Sequence, residues 1–117
     1  MSINSGLQFT SINHVARKKL GLNLVEYAVV DSIYHLGNYR DNPNPGWCTA
    51  SKEYIGDFIG YSGRQVFRIV DKMIKKGLIE RDEAGNLIAS QEWYETVQKP
   101  AEEHKKMRRL INKNLEK

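Results

Sequence analysis

The sequence predicts an α+β domain, mainly α, and two stretches carry most of that expectation. Residues 51–79 read as a helix, a tight turn, a second helix and the start of a strand. Residues 78–89 alternate apolar and polar positions about a Gly-Asn turn, which is a β-hairpin signal. A chain of 117 residues has room for one domain with a modest core. Its apolar content of 40% is ordinary for a globular protein, so neither a fibrous nor a disordered class is indicated.

From the amino end, residues 7–12 alternate apolar and polar and predict a short strand. The basic run 14–19, HVARKK, reads as a solvated helical turn, with a phosphate contact as the alternative. His14 is read as a surface or capping residue, because no other His or Cys stands at metal-ligand spacing. Asn23 followed by Glu26 is a capping-box start. Leu24, Tyr27, Ala28, Val30, Ile33, Tyr34 and Leu36 then form an apolar arc too broad for a one-sided helix, ending at Gly37. His35, near that end, suits the helix dipole or a terminal carbonyl. Residues 38–47 hold two prolines and three asparagines, which forbid helix and predict consecutive turns in an exposed loop. Tyr39 and Arg40 in that loop read as plain surface residues, with a partner contact as the alternative.

In the paired helices, Ser51 is the first cap, and Tyr54, Ile55, Phe58 and Ile59 are the expected buried side. Gly60 suits a left-handed helix end, Tyr61 packs down and Ser62 caps the next helix, which runs to about Lys76 and stops at Gly77. At about 100° per residue that helix sorts into two arcs. Val66, Phe67, Ile69, Val70, Met73 and Ile74 form the predicted core arc. Arg64, Gln65, Arg68, Asp71, Lys72, Lys75 and Lys76 form the other, with five cations and one acid. The hairpin follows, with an acidic tip at Asp82 and Glu83 that would repel phosphate, and Arg81 at its base as the better phosphate contact.

In the tail, Ser90 caps a helix over 91–98 that Trp93, Tyr94 and Val97 pack against the core. Pro100 either ends that helix or opens a new one. Residues 101–117 are helical, with Glu102 and Glu103 at the positive end of the dipole. Met107, Leu110, Ile111 and Leu115 form a stripe too narrow for a free helix, which must dock, dimerise or continue into another domain. Lys105, Lys106, Arg108, Arg109 and Lys113 read as a solvated face or as a nucleic-acid contact.

Gly60-Tyr61-Ser62, then Arg64, Val66, Arg68, Val70, Met73 and the run Lys76-Gly77-Leu78-Ile79, make the chain resemble the winged helix-turn-helix superfamily. More narrowly, it is similar to the amino-terminal domains of phage and plasmid replication-initiation and replisome-organiser proteins. The resemblance spans residues 7–94. The family pattern usually has Thr or Ser where this chain has Gln65, and Leu where it has Met73; Gly63 in the first turn is also unusual. The resemblance implies a three-helix core with a small β-hairpin wing over 1–94, and the residues that follow read as a basic helical extension over 95–117. It also implies a short strand near Trp47 and Cys48.

The resemblance further implies that the helix over 62–76 reads duplex DNA, since a helix-turn-helix presents the first half of its second helix to base edges. Arg64, Gln65 and Arg68 are the expected base readers, because Arg suits guanine and Gln suits adenine. Ser62, Lys72, Lys75 and Arg81 complete the expected DNA-binding set. Arg68 and Lys72 both lie outside the core arc, so replacing either by Ala is expected to move the melting temperature little. The implied role is replication initiation or transcriptional regulation in a phage, plasmid or bacterial setting. The alternative is a protein-interaction module docking on a replication protein, because winged helices serve both purposes.

The net charge of +4 permits a nucleic-acid partner. No Gly-rich phosphate loop with a Lys, no CxxC, no HExxH and no nucleophile elbow is present, so neither an enzyme nor a cofactor is expected. One cysteine, Cys48, excludes an internal disulfide framework. No apolar run is long enough to span a bilayer, and the opening residues lack the pattern of a secretion signal. A cytoplasmic protein, with double-stranded DNA, replication proteins and a second copy of itself as candidate partners, is the resulting expectation.

Overall fold

The computed structural model describes residues 9–115. The chain is mainly helical with one small antiparallel sheet, an α+β architecture. In order it forms α1 (His14–Leu20), α2 (Leu24–Gly37), α3 (Lys52–Ile59), α4 (Gly63–Lys75), β1 (Ile79–Arg81), β2 (Leu87–Ala89), α5 (Gln91–Trp93), a wide helical turn over Tyr94–Gln98, and α6 (Lys99–Leu115).

The amino-terminal strand expectation does not hold for its described part. Leu7 and Gln8 lie outside the described residues, and residues 9–12 have no strand. The backbone instead runs into a helix cap: Asn13 accepts from the Ala16 N–H at 3.1 Å and donates its own N–H to the Tyr27 hydroxyl at 3.2 Å. α1 follows, and within it Arg17 donates to His14 Nδ1 and to the Leu22 carbonyl. His14 is therefore a surface residue that helps to hold an arginine.

α2 begins with the expected capping box, Asn23 and Glu26 exchanging bonds of 2.8 and 2.9 Å. Tyr27, Val29, Val30 and Ile33 are all buried, which is the burial on more than one side that the broad arc implied. Leu24 is an exception: standing in the first turn, it projects beyond the core and is exposed. His35 stands in the last turn of α2, where a cation suits the dipole, and its Nε2 lies 3.3 Å from the Asp31 carboxylate instead of at a terminal carbonyl. The loop after α2 is largely exposed, as its composition suggested, and is anchored by one buried residue. Buried Asn42 donates to the carbonyls of Gly37 and Trp47 and accepts from the Asn44 N–H, so one side chain organises the consecutive turns.

α3 and α4 meet across a tight turn. Gly56 in α3 leaves no space for a side chain, because the Tyr61 carbonyl presses against the site where a Cβ would be. The Gly56 carbonyl accepts from both Gly60 and Tyr61, and Gly60 turns the chain at φ 82°. Ile55 is buried and Phe58 and Ile59 are half-buried, but Tyr54 is exposed, contrary to the expected face. In α4, Val66, Val70 and Met73 are fully buried, four and then three residues apart, so they face one direction. Ile69 and Ile74 flank them half-buried. Phe67 was expected in this arc and is 51% exposed. It stands about 100° from Val66, past the edge of the surface that α2 and α3 cover.

β1 and β2 pair antiparallel in the register Ile79↔Ala89, Glu80↔Ile88 and Arg81↔Leu87. Cys48 adds a single bridge to Leu87 through bonds of 2.7 and 3.1 Å, close to the short strand expected near Trp47. Trp93 lies fully buried with its ring 4.9 Å from that of Tyr27, and Val97 is buried beside it. The helix then continues through Pro100 instead of breaking there. The wide turn, in which the Lys99 N–H reaches back five residues to the Tyr94 carbonyl, comes directly before the proline. A regular α-turn would press the proline ring on the Thr96 carbonyl, and the wider turn relieves that clash.

Candidate functional site

Two places deserve chemical scrutiny: the outward side of α4 with the base of the hairpin, and a cleft beneath the start of α6. The first is built on a rigid element. Ser62 caps α4 by accepting from the Gln65 N–H at 3.1 Å, and Gln65 Oε1 accepts from the Ser62 N–H at 2.8 Å. This second capping box accounts for the glutamine at a position where the resembled family usually has Thr or Ser. It also occupies the Gln65 carbonyl oxygen and leaves the amide N–H₂ group for an outside partner. Gly63 belongs to the same device, since the Glu53 side chain lies where its Cβ would be.

The seven expected site residues fall into groups. Arg64 and Arg68 are one helical turn apart and exposed, and among the described residues neither has an ion-pair or hydrogen-bond partner. Lys75 continues the same row two turns beyond Arg68 and sits 3.2 Å from Asp71. Arg81 reaches the row from β1, its guanidinium 6.0 Å from the centre of the Phe67 ring. Ser62 and Gln65 stand at the amino end of the helix. Arg64, Arg68 and Lys75 thus form one outward row, with Gln65 on one flank of it and the Phe67–Arg81 pair on the other.

Lys72 is different. Its ammonium lies 2.7 Å from Glu26 Oε2, and Glu26 is only 5% exposed. Burial alone raises the Glu26 pKa, but the Lys72 hydrogen bond, the Asn23 N–H and the charges of Lys72 and Lys76 outweigh it and hold the carboxyl below its ordinary value. Lys72 thus ties α4 to the capping box of α2, and Lys76 extends the tie by donating to the Gly21 carbonyl at 3.2 Å. This pairing gives Lys72 a structural contact that Arg64 and Arg68 lack among the described residues. An outward angle on the helix did not reveal that a buried carboxylate from α2 would reach it.

At the hairpin tip the Asp82 carboxylate accepts from the backbone and side-chain amides of Asn86 at 2.8 and 3.1 Å and shapes the turn. Phe67 is the residue that sequence reasoning missed. Its one available signal was its position at the rim of the apolar arc, beside Arg64 and Arg68.

The cleft has a volume of about 440 Å³ and is lined by Ile12, Tyr27, Asp31, His35, Gln98 and Lys105, among others. Asp31 is buried, and one of its oxygens receives both His35 and the Gln98 amide, the latter at 3.2 Å. The Asp31 hydrogen bond raises the His35 pKa; burial and Lys105 oppose it less strongly. This cluster joins α2 to the wide turn. No group of described residues could hold a metal ion, and no described helix is long and apolar enough to cross a membrane.

From residue 99 onward every described side chain is exposed, including Met107, Leu110, Ile111 and Leu115. The stripe therefore does not fold back on the described part of its own chain.

Comparison of the chain with family models, with curated proteins and with solved structures gives no match.

Proposed function

We propose that this chain is a winged helix-turn-helix domain that binds double-stranded DNA. In this reading α3 and α4 are the helix pair, the β1–β2 hairpin is the wing, and α6 is an extension. The carrying observation is the pair Arg64 and Arg68. Two guanidiniums without a partner among the described residues stand on the outward row of a helix whose other side is anchored by Val66, Val70 and Met73. Rigid presentation of paired donors suits guanine edges in a major groove. Lys75, Arg81 and Ser62 lie where phosphates would flank such a contact, and Gln65 offers its amide N–H₂ group. Lys72 serves the fold in this account. The role suggested by the resemblance is replication initiation or transcriptional regulation in a phage or plasmid.

Selection from a random duplex pool followed by salt titration tests the reading. The expected result is an enriched site and a steep loss of affinity with salt. Arg68→Ala is expected to weaken binding to the enriched site roughly tenfold or more while affecting random duplex less. Absence of duplex binding at low salt overturns the proposal in favour of docking on a replication protein.

The exposed stripe of α6 supports a further part of the proposal, pairing of two copies through this helix. An antiparallel arrangement brings Glu102 and Glu103 of one helix toward the basic last turns of the other, whereas a parallel one sets like cations side by side. Sedimentation of the intact chain is expected to give a dimer, and removal of residues 100–117 a monomer with an unchanged melting temperature. A monomeric intact chain at high protein concentration refutes the pairing.

A further inference from the structure

We infer that Phe67 is a specificity-determining residue that reads the 5-methyl group of a thymine beside the bases contacted by Arg64 and Arg68. The inference rests on the DNA-binding reading above and adds to it a contact that carries no charge or hydrogen bond.

The core side of α4 is filled by Val66, Val70 and Met73, and Phe67 remains 51% exposed. The exposed part of the ring is apolar surface set beside two guanidiniums, and a partner contacting Arg64 and Arg68 would also meet it. The Arg81 guanidinium from β1 lies over the ring, 6.0 Å from its centre, so the hairpin base stands beside it.

Its surroundings then narrow the partner. Arg64 stands one turn before Phe67, Arg68 is its neighbour, and Arg81 covers part of its face. The partner must present a small apolar group within an anionic or acceptor-rich surface. A thymine in the major groove does this: its methyl group projects between base-edge acceptors and is flanked by phosphates, and a phenylalanine ring is a suitable contact for it. The position of Phe67 in the first half of α4 is also where base-edge contacts are made.

The test replaces thymine by uracil, one position at a time, in the duplex selected by the wild-type chain. Uracil keeps every hydrogen-bonding group and removes only the methyl. One substitution is expected to weaken wild-type binding about fourfold, the equivalent of one buried methyl-sized group. Phe67→Ser is expected to lose that uracil penalty while its binding to the uracil duplex stays close to wild type. Phe67→Leu, which keeps an apolar contact, is expected to retain part of the penalty. Arg64→Ala, an independent control, is expected to bind more weakly but to keep the penalty. Duplex binding with no uracil-sensitive position, or a penalty that persists in Phe67→Ser, overturns the Phe67 inference and leaves the reading helix intact. Absence of duplex binding by the wild type overturns both, and then the exposed ring belongs to a protein-docking surface.

Discussion

Helices α4 and α6 are built to the same plan and meet different ends. Each has apolar residues on one side and cations on the other. In α4 the apolar side is sealed by α2 and α3, with Val66, Val70 and Met73 fully buried. In α6 the apolar side stays open, with Met107, Leu110 and Ile111 each more than half exposed. The difference teaches that amphipathic spacing states a need for a partner and says nothing of whether the chain itself supplies one. The arc in α4 is wide enough to fill the groove between two neighbouring helices. The stripe in α6 is narrow, and the helix departs from the body after the wide turn before Pro100.

Aspartate placed on each stripe gives the sharpest contrast. Val70→Asp buries an unpaired charge and is expected to unfold the domain, a loss above about 4 kcal/mol. Leu110→Asp is expected to leave the folded monomer intact and to weaken only the proposed pairing of two copies, because within one chain the site is open to water. Thermal unfolding followed by circular dichroism reads both, and equal damage from the two substitutions would break the comparison.

A smaller effect distinguishes the cations within α4. Lys72→Ala leaves buried Glu26 without its ammonium partner and is expected to cost about 1–2 kcal/mol in denaturant unfolding, reduced from the fully buried case because Lys72 is largely exposed. Arg68→Ala is expected to cost less than about 0.5 kcal/mol. The Glu26 pKa is depressed on folding, so its contribution is present above the unfolded value and lost as pH falls through the folded value. The stability gap between wild type and Lys72→Ala should therefore shrink on acidification. A gap that grows as pH falls is the outcome that would refute the pairing.

The smallest effect belongs to the cluster that joins α2 to the wide turn. The His35 pKa is raised on folding, so its stabilisation is fully present below the unfolded value and is lost as pH rises through the folded value. Melting of wild type and His35→Gln across pH 5–9 is expected to show a modest advantage for wild type at the acid end that fades above neutrality. An advantage that increases with pH would contradict the Asp31–His35 contact.

How much was legible in the sequence depends on how local each cause is. The caps at Asn23, Ser51, Ser62 and Ser90, the left-handed Gly60 and Gly77, and the hairpin are set by interactions within a few residues, and they stand as read. The outward placement of Arg64 and Arg68 follows from helix period alone. The rest depended on neighbours distant in the chain. Phe67 and Tyr54 lie on apolar arcs but outside the groove that α2, α3 and α4 happen to enclose, and period does not report the width of a groove. Lys72 looks like its fellow cations until Glu26, 46 positions earlier, folds against it. Local propensity and spacing thus determined the elements and their faces in this protein. Only the packing of elements against one another decided which faces are covered, which charges are paired, and which residues remain available to a partner.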